Sequence, residues 1–170
     1  CYKQLWFSPP TYTLTRTHNS LGKGVGRFRC EAVDSGLYGH ASLSVEDRRS
    51  DLEVNVLISR MCELIHVARS LRIHVFVEHP ATSKLWEFPE IKNLISIGPG
   101  GFSYVDFCQF DVPWRRSTAI LSWNDPGVFT LPVCRGNVKQ CHRSGQSHVV
   151  PKGKASDGRY MTDVVKEYHP

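Results

Sequence analysis

Two apolar segments that end abruptly in proline constrain the fold of this chain more than any other feature. Leu5–Phe7 runs into Ser8–Thr11, and Phe76–Glu78 runs into His79-Pro80 much later in the chain. Each segment has the composition of a buried strand, and proline cannot continue the hydrogen-bonded ladder inside a sheet. Open α/β sheets bind ligands at the edge where their parallel strands end. We therefore expect the two polar segments to meet at one edge of a sheet.

The longest periodic segment predicts a helix over residues 45–71. Ser44 is a suitable N-cap, and Asp47 follows in the first turn. Apolar residues recur at spacings of three and four, which predicts that they form the buried face: Leu52, Val56, Leu57, Met61, Leu64, Ile65, Ala68 and Leu71.

The remaining segments predict strands and one further helix. The run 73–78 is uniformly apolar and β-branched, which is typical of an interior parallel strand. Residues 83–95 predict a helix that Pro89 kinks or splits. Residues 102–110 and 117–123 predict two strands joined as a hairpin. The predicted fold class is therefore α/β, with parallel central strands and an antiparallel edge hairpin.

Length, charge and hydropathy set broad limits on function. The 170 residues fit a single domain over residues 1–170, with an irregular Cys-, His- and basic-rich tail over residues 125–170. The formal net charge of +5 permits a nucleic-acid partner without requiring one. No apolar run reaches the roughly 18–20 residues of a membrane span. Because the chain begins without Met and directly in a strand-like run, we expect a fragment of a longer protein.

The six cysteines are scattered, which favours reduced thiols and an intracellular, reducing compartment. Cys62 in the long helix and Cys108 in the strand 102–110 are interpreted as core-filling thiols. The tail carries four residues of the types that bind Zn²⁺, namely Cys134, Cys141, His142 and His148. Their spacing matches no compact zinc knuckle, so zinc is one interpretation and a tail without metal is the other.

Four ordered stretches resemble the cytosine-5 DNA methyltransferase-like proteins of retroelements and protists. Ser8–Arg16 is similar to their Ser-Pro-Pro-Cys loop, and Val77–Trp86 to their Glu-Asn-Pro-Ala-x-Ser-x-Leu-Trp motif. Residues 104–124 resemble their Asp-x-Cys hairpin, and the Cys- and His-containing tail follows their ending. The resemblance implies the later part of a Rossmann-like methyltransferase fold that lacks the upstream cofactor-binding half.

The same resemblance implies a reaction whose usual nucleophile this chain lacks. In that family a Cys thiolate adds to C6 of a flipped cytosine, and a Glu contacts the base. Thr11 stands at the nucleophile position and Glu78 at the base-contacting position, followed by His79 in place of Asn. A Thr hydroxyl is far less ionised than a thiol. We therefore expect no cofactor for this fragment, and S-adenosylmethionine only if another chain supplies the missing half.

Three functional hypotheses follow. The first is a degenerate, non-catalytic methyltransferase-like domain that keeps affinity for nucleic acid through five basic residues, Arg16, Lys23, Arg27, Arg115 and Arg116. The second is a structural or accessory subunit that uses the fold as a scaffold among other protein subunits. The third is an active methyltransferase completed by another chain. For Arg115 and Arg116, beside Trp114, a phosphate contact and a solvated hairpin tip are both open.

Overall fold

The structure, a computed structural model, divides into two compact units. It describes residues 3–14, 37–39, 43–98, 100–124, 130–137 and 139–150, together with four single residues beyond them, at positions 154, 156, 158 and 161. Unit 1 comprises Cys1–Tyr104 and Thr118–Thr130, and unit 2 comprises Val105–Ser117 and Leu131–Pro170. The hairpin segment 105–117 therefore belongs with the tail that was predicted to be irregular.

The central element of the fold is a four-stranded mixed sheet. Its strands are β1 (Gln4–Phe7), β2 (His74–Pro80), β3 (Gly100–Asp106) and β4 (Ser117–Trp123), in the spatial order β1-β2-β4-β3. β1 and β2 are parallel, whereas β2 and β4 are antiparallel. The predicted α/β class and the antiparallel pair at one edge are confirmed. The prediction of parallel central strands was wrong, because the parallel pair β1-β2 lies at the other edge and the central pair β2-β4 is antiparallel.

The long helix α1 spans Val45–Ser70 and begins at the predicted N-cap, since the Ser44 hydroxyl accepts the Asp47 N–H at 3.1 Å. The prediction of its buried face was partly wrong. Met61, Ile65 and Ala68 are buried as expected, and Val54, Ile58 and Cys62 join them. Five residues of the predicted face are exposed instead: Leu52, Val56, Leu57, Leu64 and Leu71. The reason is that α1 carries two apolar stripes, and periodicity alone does not reveal which stripe faces the sheet.

The core of unit 1 lies between one face of the sheet and its helices. Val75 and Val77 of β2 share that face with Leu121 and Trp123 of β4, in register across the antiparallel pair. A 3-10 helix over Lys84–Glu87 and helix α2 over Pro89–Ser96 complete the covering layer. Pro89 stands at the start of α2, so it splits the predicted helix 83–95 in two.

Strand β3 ends earlier than the sequence predicts. It stops at Asp106, and Phe107–Phe110 forms a 3-10 helix that closes at Asp111 in the left-handed conformation, with φ of 64°. A short apolar run does not distinguish a strand from a helical turn, so the predicted strand 102–110 was too long. As a consequence, Cys108 lies on a helical turn of unit 2 and not in a strand.

Two further predictions concern nucleic-acid contacts and membrane spans. Three of the predicted nucleic-acid contacts, Arg16, Lys23 and Arg27, lie outside the described residues. Although α1 has 26 residues, no helix in the described part of the chain combines the length and the apolar character needed to cross a membrane.

Candidate metal centre and sheet edge

Four potential metal ligands converge in unit 2. They are Cys108, Cys134, Cys141 and His148, and one ligand atom from each lies within 4.8 Å of all the others. The Sγ atoms of Cys134 and Cys141 are 3.9 Å apart, and Cys134 Sγ is 3.6 Å from His148 Nε2. All four side chains are buried. This cluster can hold a metal ion.

A tight turn and a close backbone approach position Cys141. The Gly145 N–H donates to the Cys141 carbonyl at 2.9 Å, and Gly145 has φ of +71°, a conformation that favours glycine. Across the loop from Cys134 to Cys141, a Cβ at Gly136 would overlap the Gln140 carbonyl oxygen. Glycine at both positions therefore lets the chain fold tightly enough to bring Cys134 and Cys141 together.

The orientation of His148 is set from outside the cluster. Its Nδ1 lies 2.8 Å from the Asn137 carbonyl oxygen, an arrangement in which Nδ1–H donates and Nε2 keeps its lone pair for the cluster. Histidines that bind metals usually donate their other ring N–H to a carbonyl or a carboxylate. The His148 side chain is therefore already held in the tautomer and orientation of a ligand.

Asp106 links the segments that carry the cysteines. This carboxylate is 1% exposed and accepts hydrogen bonds from the Cys134 backbone N–H at 2.7 Å, from Arg115 Nε at 3.3 Å and from the Ser117 hydroxyl. Arg115 also donates to the carbonyl oxygens of Cys134, at 3.0 Å, and Gly136, at 3.3 Å. The pair Asp106–Arg115 therefore fixes the backbone on both sides of the Cys134 side chain.

The electrostatics around the thiols differ from one cysteine to the next. Hydrogen bonds from the backbone N–H groups of Ser144 and Arg143 lower the pKa of the Cys141 thiol to about 5, although burial opposes the shift. Burial raises the pKa of the Cys108 thiol to about 12, although the Gln109 amide, 3.3 Å from its Sγ, opposes the shift. One thiolate is therefore favoured by the protein alone, whereas ionisation of Cys108 requires a nearby cation. A bound metal supplies that charge and displaces thiol protons.

Three of the four predicted tail ligands are in the cluster, and the fourth is not. His142 is exposed, and its Nδ1 accepts the Arg135 N–H at 3.3 Å outside the cluster. Cys108 takes the remaining place, although the sequence interpretation assigned it to the apolar core. The signal that could have revealed it is its position in the Asp-x-Cys motif, two residues after Asp106.

The two proline-terminated segments do meet at one edge of the sheet. His79 Nε2 lies 3.4 Å from the Pro10 carbonyl oxygen. Beyond them, the Leu14 carbonyl accepts the Lys84 N–H at 2.8 Å and the Ser83 hydroxyl at 3.3 Å. The expectation drawn from the strand ends is confirmed.

Thr11 and Glu78, the two positions predicted from the resemblance, lie in the segments that form this edge. Thr11 is half-buried in a turn closed by the Leu14 N–H on its carbonyl at 3.1 Å. Glu78 is buried and pairs with Ile120 across the sheet, on the face opposite to Val77. His79 is 1% exposed and meets the Trp86 ring edge-on at 6.2 Å. These contacts make His79 part of the packing at the edge.

The two described arginines of the predicted nucleic-acid site are both engaged within unit 2. Arg115 is held by Asp106 and two carbonyl oxygens, as described above. The guanidinium of Arg116 lies over the Phe107 ring at 4.9 Å from its centroid. The structure therefore gives Arg115 a role in supporting the cysteine cluster.

Comparisons with protein-family models, with curated proteins and with solved structures find no match to this chain.

Proposed function

We propose that this chain is a non-catalytic scaffold domain, related to the cytosine-5 methyltransferases, in which unit 2 folds around a structural Zn²⁺ ion. The observation that carries the proposal is the cluster of Cys108, Cys134, Cys141 and His148, with its four ligand atoms within 4.8 Å of one another. A Cys₃His set is a common ligand set of structural zinc sites.

The spacing of the ligand atoms suits a tetrahedral ion. With Zn–S near 2.3 Å and Zn–N near 2.0–2.1 Å, a tetrahedron has S–S edges of about 3.8 Å and S–N edges of about 3.5 Å. Two of the six separations match these edges, 3.9 Å between Cys134 and Cys141 and 3.6 Å between Cys134 and His148, whereas the whole set lies within 4.8 Å, so the more distant ligand atoms would move inward on binding the ion. The soft thiolates and the imidazole also match the ligand preferences of Zn²⁺.

A structural role fits the site better than a catalytic one. Catalytic zinc sites use three protein ligands and keep one position for water or substrate, whereas structural sites use four. Here four protein side chains are available, and all of them are buried. Arg115 and Asp106 hold the backbone that carries the ligands, as expected for a metal ion that stabilises the fold.

The proposal that the domain does not methylate cytosine depends on Thr11. A Thr hydroxyl ionises far less readily than a thiol, so it is a poor nucleophile for addition to a pyrimidine ring. The Rossmann-like relationship and the base-contacting ancestry of Glu78 belong to the same proposal. Incubation with labelled S-adenosylmethionine and cytosine-containing DNA should transfer no label, and measurable transfer would refute this part of the proposal.

Titration of the metal-free chain with Co²⁺ tests the zinc site. Tetrahedral Co²⁺ with thiolate ligands gives intense visible bands and a thiolate charge-transfer band in the near ultraviolet, and Zn²⁺ should displace it at one equivalent. Cys134→Ser should lose these bands, whereas the matched variant Cys62→Ser, which changes a buried thiol of unit 1, should keep them. A spectrum without thiolate bands in the unchanged chain would overturn the proposal.

A second candidate function is binding of nucleic acid by unit 2. Its sequence ranges contain nine Lys and Arg residues against five Asp and Glu, a net charge of +4 out of +5 for the whole chain. A Zn²⁺ with three thiolates would reduce this to about +3. Arg135 and Lys139 are exposed beside the cluster loop. A basic surface of this kind attracts phosphate backbones.

Fluorescence titration of a single-stranded oligonucleotide at several salt concentrations tests the second candidate. The double variant Arg135→Ala and Lys139→Ala should weaken binding and flatten its salt dependence. Removal of two charges from unit 1, Lys3→Ala with Lys92→Ala, is the matched control and should change binding less. Equal losses of affinity in both double variants would argue against a site on unit 2. If the unchanged chain does not bind the oligonucleotide, the nucleic-acid function is rejected and the scaffold function is the one that remains.

A further inference from the structure

Helix α1 exposes a broad apolar face that the core of unit 1 does not use. Seven side chains form this face, with exposed fractions between 49% and 87%: Val45, Leu52, Val56, Leu57, Leu64, Val67 and Leu71. At 100° per residue they occupy an arc of about 140° from Leu52 to Leu57, which faces away from Ile58 and Ile65 and borders the buried stripe at Ala68. A surface helix of a globular protein normally carries polar residues there. Contiguous exposed apolar surface of this kind marks an interaction site.

Five charged residues are interspersed along the same face, and the order of the four that follow Glu46 is informative. Arg49 pairs with Glu53 at 3.2 Å, and Arg60 pairs with Glu63 at 2.7 Å, all with largely exposed side chains. Along the helix the charges therefore alternate as plus, minus, plus and minus. This order is complementary to itself when one helix is reversed against another.

We propose that this face of α1 binds the same face of a second copy of the chain in antiparallel orientation. With the two-fold axis beside Val56, Glu53 lies opposite the partner's Arg60, and Arg49 lies opposite the partner's Glu63. The same register places Val45 opposite the partner's Val67. A parallel arrangement would instead bring like charges together, which is unfavourable. Such an isologous contact closes after two copies.

The size of the face suits an interaction between copies. The 26 residues of α1 span about 39 Å at 1.5 Å per residue. The apolar side chains of the face extend from Val45 to Leu71 and therefore cover this whole length. Charged side chains lie among the apolar ones at the centre of the face, so the contact would combine apolar burial with charge pairing between the two copies. The proposal is independent of the zinc site, because α1 belongs to unit 1.

Sedimentation velocity of the full chain across the micromolar range tests the proposal. We expect a concentration-dependent dimer of twice 19.3 kDa. Glu53→Arg and Arg60→Glu should each raise the dimer Kd about tenfold or more, because each places like charges opposite one another. The double variant that exchanges the two charges should restore much of the affinity. The matched control Glu87→Arg reverses a partly exposed charge outside α1, one that pairs with Lys92, and should leave the Kd unchanged.

Circular dichroism of every variant verifies that α1 remains folded. A chain that stays monomeric throughout, or a dimer that neither single charge reversal weakens, overturns the proposal.

Disulfide cross-linking tests the orientation. An equimolar mixture of Val45→Cys and Val67→Cys should form a cross-link between the two different variants, identified by peptide mapping. Cross-linking of Val45→Cys to itself in preference would indicate parallel helices and would contradict the antiparallel arrangement.

Discussion

The two units of this chain are stabilised by different kinds of interior. Unit 1 has a cluster of sixteen buried, mainly apolar residues that joins the sheet to α1 and α2. In the described part of unit 2, the buried cluster consists of Cys108, Cys134 and Cys141, with the polar side chains of Asp106 and His148 also buried. Small modules with little apolar core commonly require a metal ion. Burial of apolar surface therefore stabilises unit 1, whereas unit 2 has the buried ligand set on which the proposed zinc site depends.

The largest expected effect is loss of structure in unit 2 alone. Structural zinc contributes on the order of 10 kcal/mol to small metal-dependent folds. Removal of the ion with a strong chelator should therefore greatly accelerate amide hydrogen exchange over residues 105–117 and 131–150. Exchange in β2 and α1 should change little. Equal acceleration in both units, or none in unit 2, would contradict the contrast between them.

Truncation of a buried side chain in unit 1 should destabilise unit 1 and leave unit 2 unchanged, which is the opposite of the effect of metal removal. Phe88 is 1% exposed within the apolar cluster of unit 1. Phe88→Ala should lower the free energy of unfolding of unit 1 by about 3–5 kcal/mol, because it removes buried apolar surface and leaves a cavity. Urea denaturation followed by tryptophan fluorescence measures this loss, and the metal content per folded chain should stay unchanged. A coupled loss of metal would show that the two interiors are not independent.

A smaller effect is expected at the carboxylate that supports the ligands. Asp106→Asn keeps the size of the side chain but removes the charge that faces Arg115 and accepts the Cys134 N–H. Loss of such supporting contacts typically weakens metal binding by about 10–100-fold, which competition against a chromophoric chelator measures. Asp111→Asn is the matched control, since Asp111 pairs with Arg143 on the surface. The metal affinity of Asp111→Asn should stay within about twofold of that of the unchanged chain. Similar losses of metal affinity in both variants would contradict a specific supporting role for Asp106.

The sequence predicted those features that depend on local composition. The proline-terminated strand ends, the N-cap at Ser44 and the break at Pro89 each have a direct chemical cause in a few adjacent residues. The meeting of Pro10 with His79 followed from the general geometry of parallel strands. The structure confirms all four.

The missed features depend on tertiary contacts. The buried stripe of α1 was misassigned because both stripes are apolar, and only packing against the sheet selects Val54 and Ile58. Cys108 was assigned to the core because a buried thiol and a metal-binding thiol have the same local sequence environment. The cluster combines one residue from the hairpin segment with three from the tail, so no local spacing motif describes it.

The metal content of two matched variants tests the central claim most directly. Cys108→Ser removes a residue of the cluster, and His142→Ala removes the nearby imidazole that lies outside it. After purification in the presence of Zn²⁺, native mass spectrometry should find one zinc per chain in the unchanged protein and in His142→Ala, and greatly reduced zinc in Cys108→Ser. Retention by Cys108→Ser with loss in His142→Ala, or no bound zinc in the unchanged protein, would contradict the proposed metal centre.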